Sequence, residues 1–321
     1  MNRRQWTVVA AALAAAPWTR AAAPFPTRPI RLIYNFAPGG PGDAVARYLA
    51  VRMGEALGQQ LVVENMSGGN GVVGILATAR APADGYTLLF AALTGIVQVP
   101  LLTRDANFDP FKSVAPIANV GSAPLVMVAH SDVPAIDFPG FVEWARKQPS
   151  GVDVAGAGSI VEIATAVLAR EAKLRLVWVS YRGTAPALQA LLAGDVKVAF
   201  LTPSAMLSEH VGTGKVKVIG VTSPQTSSLF PGVAPIGRHV PGYEQEINYA
   251  LWAPGGLPPE TTGRIEAALI QVLKEPDMTA KLQINGMVKD HRDAAAVTLI
   301  ARREDDSIRK VLATTSIKIG G

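Results

Sequence analysis

The sequence predicts an α/β fold of two lobes with a cleft between them, on three observations. Strand-like and helix-like stretches alternate from residue 30 onward, the pattern that builds parallel sheets flanked by helices. A complete second series of these units interrupts the first, so the chain crosses between lobes twice. Three strand-to-helix junctions carry glycine or a small hydroxyl residue, at Gly39 and Gly40, Gly158 and Ser159, and Gly183 and Thr184.

The first strand is Ile30 to Phe36. Pro38, Gly39, Gly40, Pro41 and Gly42 turn the chain into a helix in which Val45, Leu49, Met53 and Ala56 recur at helical spacing until Gly58 stops it. Asp43 is placed to cap that helix. The unit repeats as strand Leu61 to Glu64, helix Val72 to Ala81 and strand Tyr86 to Ala91, and two apolar runs follow, Ala115 to Val120 and Leu125 to Ala129. The second series holds a helix capped by Asp137, strand Val152 to Ala155, helix Ile160 to Ala172, strand Leu176 to Val179, helix Thr184 to Ala193 and strand Val196 to Leu201. After strand Val216 to Thr222 and a Pro/Gly-rich stretch, an extended run from Ile247 to Ala253 leads to helices near Pro259 and Pro276 and a last helix from Ala294 to Ala313. Residues 24–124 and 247–321 are thus expected to form lobe 1 and residues 125–246 lobe 2. The crossing segments, Gly121 to Leu125 and Glu244 to Trp252, form a natural hinge.

Residues 1–23 read as a signal peptide: Arg3 and Arg4 precede an apolar run from Trp6 to Ala16, Pro17 breaks it, and Ala21 to Ala23 offer small residues for cleavage. The run is short for a bilayer span, which needs about 20 apolar residues. The paired arginines also fit the twin-arginine export route. Without Arg3, Arg4 and Arg20 the 30 basic residues become 27 against 25 acidic, which leaves no electrostatic footprint for nucleic acid. With no cysteine in the chain, neither a lipid anchor on Cys nor a disulfide is available.

Glycine at a strand-to-helix junction lets a ligand approach the backbone, and the helix start offers unpaired N–H groups with a partial positive charge. Such ends bind carboxylates or phosphates without a lysine. Gly69 to Gly74 spell the dinucleotide fingerprint G-x-G-x-x-G, but the acid expected about 20 residues on is missing from Leu88 to Thr94. No phosphate loop, zinc motif or G-x-S-x-G context occurs, so neither a cofactor nor a metal is expected, and His130, His210, His239 and His291 are scattered. The alternative from another class is a secreted α/β hydrolase-like enzyme using Ser159 or Ser204 with a distant histidine, which requires a Ser-to-His hydrogen bond of about 2.6–3.2 Å. The effector half of a transcription regulator shares the two-lobed layout, but DNA-binding helices are missing.

Taken in order, Arg28-Pro29-Ile30, Phe36-Ala37-Pro38-Gly39-Gly40 with Asp43, Val63-Glu64-Asn65, Asp84-Gly85-Tyr86-Thr87-Leu88, Gly158-Ser159, Tyr181-Arg182-Gly183 before Ala185-Pro186-Ala187-Leu188, Pro203-Ser204, Val221-Thr222-Ser223 and Ala253-Pro254 before Pro258 carry a resemblance. Over nearly its whole mature length the chain resembles the substrate-binding proteins of tripartite tricarboxylate transporters, the Bug family. The resemblance implies a periplasmic binding protein of the type II fold, with a small carboxylate in the interlobe cleft and a permease of large and small membrane subunits as partner; a monomer is the default for such a protein. It also implies which residues meet the solute: Phe36, Ala37, Gly39, Gly40, Asp43 and Thr94 from lobe 1, and Gly158, Ser159, Glu162, Tyr181, Arg182, Gly183, Thr184 and Ser204 from lobe 2. Glu162 departs from the family, which usually has histidine there, and Asn35, Met66 and Leu201 depart as well. An acid at 162 disfavours an anion unless Arg182 pairs with it or the helix turns it away, and so points to a ligand with an amine or amide beside its carboxylate.

Overall fold

The computed structural model describes residues 25–103, 108–181, 184–224, 226–227 and 230–314. The signal-peptide reading of residues 1–23, and the expected site residues Arg182 and Gly183, lie outside the described residues.

The first half of the larger sheet is built as the alternation predicts. Strand β1 (Ile30–Tyr34) leads to helix α1 (Pro41–Leu57), β2 (Leu61–Asn65), α2 (Val72–Ala79), β3 (Thr87–Ala92) and α3 (Leu93–Leu102). β1 is parallel to both β2 and β3, and Ile30, Leu32 and Ile33 are all fully buried, as expected of a central strand covered on both faces. β4 (Val114–Pro124) then crosses out of this sheet, and β5 (Val126–His130) begins the second.

The second sheet continues with α4 (Phe138–Ala145), β6 (Val152–Ala157), α5 (Ser159–Glu171), β7 (Leu176–Tyr181), α6 (Thr184–Ala193), β8 (Val198–Leu201), α7 (Ala205–Gly212) and β9 (Val216–Val221). Its order is β7-β6-β8-β5-β9. The chain returns through β10 (Glu246–Pro254), followed by α8 (Pro259–Leu273), α9 (Pro276–Ile284), β11 (Val288–Asp293) and α10 (Ala294–Thr314). The first sheet is completed in the order β11-β4-β10-β3-β1-β2.

Both sheets are mixed, where the alternation alone implied parallel ones. β10 runs antiparallel between β3 and β4, β11 runs antiparallel to β4, and β5 runs antiparallel to β8 and β9. The two crossing strands pair with one another, Glu246 opposite Pro124 and Ile247 opposite Ala123. Thr222, fully buried, ties the crossings together: its hydroxyl oxygen accepts the Leu125 N–H (2.8 Å) and lies against the Gln245 carbonyl, while the Gln245 N–H donates to the Thr222 carbonyl (3.0 Å).

Three elements escaped the sequence reading. α3 is too uniformly apolar to show a helical stripe and carries Pro100 in its last turn. α7 is a short helix capped by the Ser204 side chain. β11 is an edge strand of mostly charged residues, VKDHRD, which lacks the apolar alternation that marks a strand. Asp43 is not the cap of α1; Gly40 occupies that position, without a side-chain cap, and Asp43 sits in the first turn.

Candidate functional site

A cavity of about 420 Å³ lies between the two sheets, and four helices begin at its wall. From the lobe of the six-stranded sheet come the starts of α1 (Pro41, Gly42) and α3 (Thr94, Gly95); from the other lobe come those of α5 (Gly158, Ser159, Ile160) and α6 (Thr184). The N-caps of α1, α3 and α5 make no side-chain capping hydrogen bond, so their first-turn N–H groups remain for a ligand. Away from the cavity, α4 and α7 have side-chain caps, Asp137 accepting from Gly140 N–H (2.9 Å) and Ser204 from Leu207 N–H (3.2 Å), whereas α2, α8 and α9 start without one.

Among the described residues no Lys, Arg, His, Asp or Glu lines the cavity. Its polar groups are neutral: the hydroxyls of Thr94, Ser159, Thr184 and Thr202, the amides of Asn35 and Asn285, and the phenols of Tyr34, Tyr181 and Tyr249. Burial pushes the Tyr249 phenol up to about 12. Burial, then the neighbouring Tyr249 and Asp43, pushes Tyr34 upward too, so both remain O–H donors near neutral pH. Tyr34, Phe90 and Tyr249 stack in series at ring separations of 6.2 and 5.7 Å, and Phe36 tilts against Tyr34 at 6.0 Å.

Of the expected site residues, Phe36, Thr94, Gly158, Ser159, Tyr181 and Thr184 are brought together on this wall. Ala37, Gly39, Gly40, Asp43, Glu162 and Ser204 do not line it. Asp43 works behind the wall. Its carboxylate, almost completely buried, accepts from Gly39 N–H (3.0 Å), Arg47 Nε (2.9 Å) and Asn65 Nδ2 (2.8 Å), while Asn65 Nδ2 also donates to the Phe36 carbonyl (3.1 Å). The loop from Phe36 to Gly40 is thereby fixed to the start of α1. Burial opposes ionisation of Asp43, but the hydrogen bonds from Arg47, Asn65 and Gly39 win and hold its carboxyl below the usual range.

Glu162 is buried in the first turn of α5 and does not line the cavity. Ser204 serves as a helix cap. Two of the three fingerprint glycines are packing glycines: a Cβ on Gly71 would stand 2.3 Å from Asn35 Nδ2, and one on Gly74 would stand 2.9 Å from Asn35 Cβ. Neither serine of the hydrolase reading pairs with a histidine, since the Ser159 hydroxyl donates to Gln98 Oε1 and Ser204 accepts from Leu207.

The sequence reading missed Tyr34, Gly42 and Tyr249, and also Asn285, Gly286 and Met287. Gly42 carried a signal, because it follows Pro41 at a helix start; a Cβ there would stand 2.3 Å from the Tyr34 hydroxyl. The loop from Asn285 to Met287 carried none. It reaches the cavity from the C-terminal third, and Gly286 packs directly beneath the Pro203 carbonyl of the other lobe.

A sequence profile described as "Tripartite tricarboxylate transporter family receptor" matches residues 45–312. The chain belongs to this receptor family. Two relatives are similar over most of their length: a protein in the tcbD-tcbE intergenic region of Pseudomonas sp. strain P51 (31% identical, covering 82% of this chain and 79% of the relative) and BugT of Bordetella pertussis (30%, 86% and 83%). Among solved structures the chain is similar to the periplasmic binding protein BugD (28% identical, TM-score 0.75, covering 89% of this chain and 98% of the other). It is similar also to MatC of Rhodopseudomonas palustris with bound malate (28%, 0.73, 89% and 98%) and to Rpa4515 of R. palustris with adipate (26%, 0.78, 90% and 98%). The receptor is thus a two-lobed periplasmic solute-binding protein and not an enzyme.

Proposed function

We propose that the chain captures a small carboxylate-bearing solute in the interlobe cavity and hands it to a permease of large and small membrane subunits. One observation supports the reading above all: four helix N-termini, two from each lobe, meet at a single cavity whose described wall carries no charged side chain. A carboxylate there is held by backbone N–H groups, helix dipoles and neutral hydroxyls. Two helix starts on each side suit a solute with an acid group at either end, in keeping with the malate and adipate of the similar structures. The aromatic face of Phe36, Tyr34 and Tyr249 suits the carbon body between them.

In this reading residues 24–124 and 247–321 form one lobe and 125–246 the other, and the paired crossing strands are the hinge. Residues 1–23 direct export, by the general or the twin-arginine route, and the protein works as a monomer.

A thermal-shift screen of the chain without residues 1–23, against mono-, di- and tricarboxylates, amino acids and aromatic acids, tests this. A solute at 100 times its dissociation constant stabilises the protein by about 2.7 kcal/mol. Stabilisation by amino acids or uncharged solutes alone, with no carboxylate active, overturns the reading.

A further inference from the structure

Helix α3 is buried nearly all round, with Leu93, Ile96, Val97 and Val99 all enclosed, and Gln98 is 1% exposed among them. Burying an amide in such surroundings is unfavourable unless both its ends are used. One end is used across the cleft. Gln98 Oε1 accepts the hydroxyl proton of Ser159, the first residue of α5 in the opposite lobe, 61 positions along the chain. The other end, Nε2, is buried without a hydrogen-bond partner. Gln98 stands one helical turn after Thr94, and both Thr94 and Ser159 line the cavity whereas Gln98 lies behind them.

We infer that Gln98 is a positioning residue, which fastens Ser159 and the N-terminus of α5 across the cleft when the lobes close. The inference rests on the solute-binding reading and adds to it a residue that never touches the solute. With the lobes apart, water satisfies Oε1 of Gln98 and the Ser159 hydroxyl; with the lobes together, each is the other's partner, so this bond favours only the closed form. Through it the Ser159 proton is committed to Gln98, so Ser159 Oγ faces the cleft as an acceptor only and the solute's carboxylate is left to the backbone N–H groups at the start of α5. A hydrogen bond of this kind corresponds to about a three- to ten-fold shift in the closed population.

The chain has no cysteine, so two introduced ones can be spin-labelled cleanly. Val62 on β2 and Val177 on β7 are 46% and 45% exposed and lie on the outermost strands of their sheets, far from the crossing strands. Interlobe distances are measured between Val62→Cys and Val177→Cys, with and without malate or adipate, in backgrounds carrying Gln98→Met, Ser159→Ala or both. Binding is followed by calorimetry and folding by thermal unfolding. Gln98→Met is expected to reduce the short-distance component and weaken binding about three- to ten-fold while the unfolding temperature stays equal or rises, which a merely structural role for Gln98 would not produce. In the Ser159→Ala background Gln98→Met should add nothing. The inference is overturned if Gln98→Met leaves the distances unchanged, if its effect is undiminished in that background, or if the unsubstituted protein never shows the short component. Absence of binding heat with both acids counts against the solute class alone, because the unliganded distances still decide the role of Gln98.

Discussion

Replacing Gly286 by alanine separates two effects that usually come together. Gly286 has φ +73°, where an L side chain is strained by about 1–2 kcal/mol, and its new Cβ would stand 2.2 Å from the Pro203 carbonyl oxygen and 3.0 Å from its carbon. Carbon and oxygen normally approach to about 3.3 Å, so one backbone must retreat by about 1 Å. Pro203 belongs to the opposite lobe, and opening the cleft is the retreat that deforms neither lobe. Gly214 provides the control, since its φ is also +73° but nothing stands within 4 Å of its Cβ position. Gly214→Ala should therefore lower stability by about 1 kcal/mol, a few degrees in unfolding temperature, and leave solute affinity intact. Gly286→Ala should show a similar loss of stability without solute and a further loss of affinity of about 5- to 150-fold, the 1–3 kcal/mol typical of overpacking. Thermal unfolding and calorimetric titration with a carboxylate from the screen measure both. Equal affinities for the two variants would refute the contact between Gly286 and Pro203 as a feature of the closed, solute-bound form.

Three further outcomes are expected. Asp43→Ala strips the acceptor from the Gly39 N–H, from the half-buried Asn65 amide and from the half-exposed Arg47, and should cost about 1–2 kcal/mol in denaturant unfolding. Because the Asp43 carboxyl is held below its unfolded value, its contribution is complete above about pH 4 and drains as pH falls through the folded value, so the variant should show a flatter acid limb between pH 2 and 5. Glu304 has the opposite sign. It is enclosed by protein while keeping slight solvent access, and burial pushes its carboxyl up to about 7, opposed by the adjacent Thr94 hydroxyl, which makes no hydrogen bond of normal geometry. The fold then binds a proton the unfolded chain has lost, so stability should fall as pH rises from about 4.5 to 7, and Glu304→Gln should abolish that fall and be more stable than the parent at pH 8 by roughly 2–3 kcal/mol. Thr222→Val leaves the Leu125 N–H buried without its acceptor and should cost about 1–3 kcal/mol in denaturant unfolding.

What was legible in the sequence follows from range. Strands β1 and β6 and the helices after them could be read because periodicity and glycine turns act within a dozen residues. The insertion of one sheet between strands of the other could be read because a whole second series of units stood between residues 125 and 222. Asp43 was recognisable as a residue of the first loop, but its role was not, because the choice between capping α1 and tying Gly39 to Asn65 depends on β2 lying beside β1. α3 hid because burial on all sides erases a helical stripe, and β11 hid because an edge strand may be polar on both faces without penalty.

The same reasoning explains why, of the twelve expected site residues that are described, six stand off the cavity wall. Family motifs mark positions where substitution is costly, and a cleft that closes has two kinds. Gly158, Ser159, Thr184 and Thr94 present backbone or hydroxyl groups to the solute, whereas Asp43 holds a loop and Ser204 closes a helix. Spacing cannot separate these roles, since both occur at strand-to-helix junctions. Capping geometry together with position separates them: at Asp137 and Ser204 a side chain accepts from a first-turn N–H and the helix start is spent on the fold, whereas Gly158 carries no such cap and faces the cavity, so the start of α5 is available to an anion. Gly158→Asp would place an oxygen where the solute's carboxylate is expected. It should abolish binding of anionic solutes beyond what the strain at φ +79° explains, with Gly214→Asp, at φ +73°, as the reference for that strain. If both variants bound solute alike in calorimetric titration, the N-terminus of α5 would not be a carboxylate site.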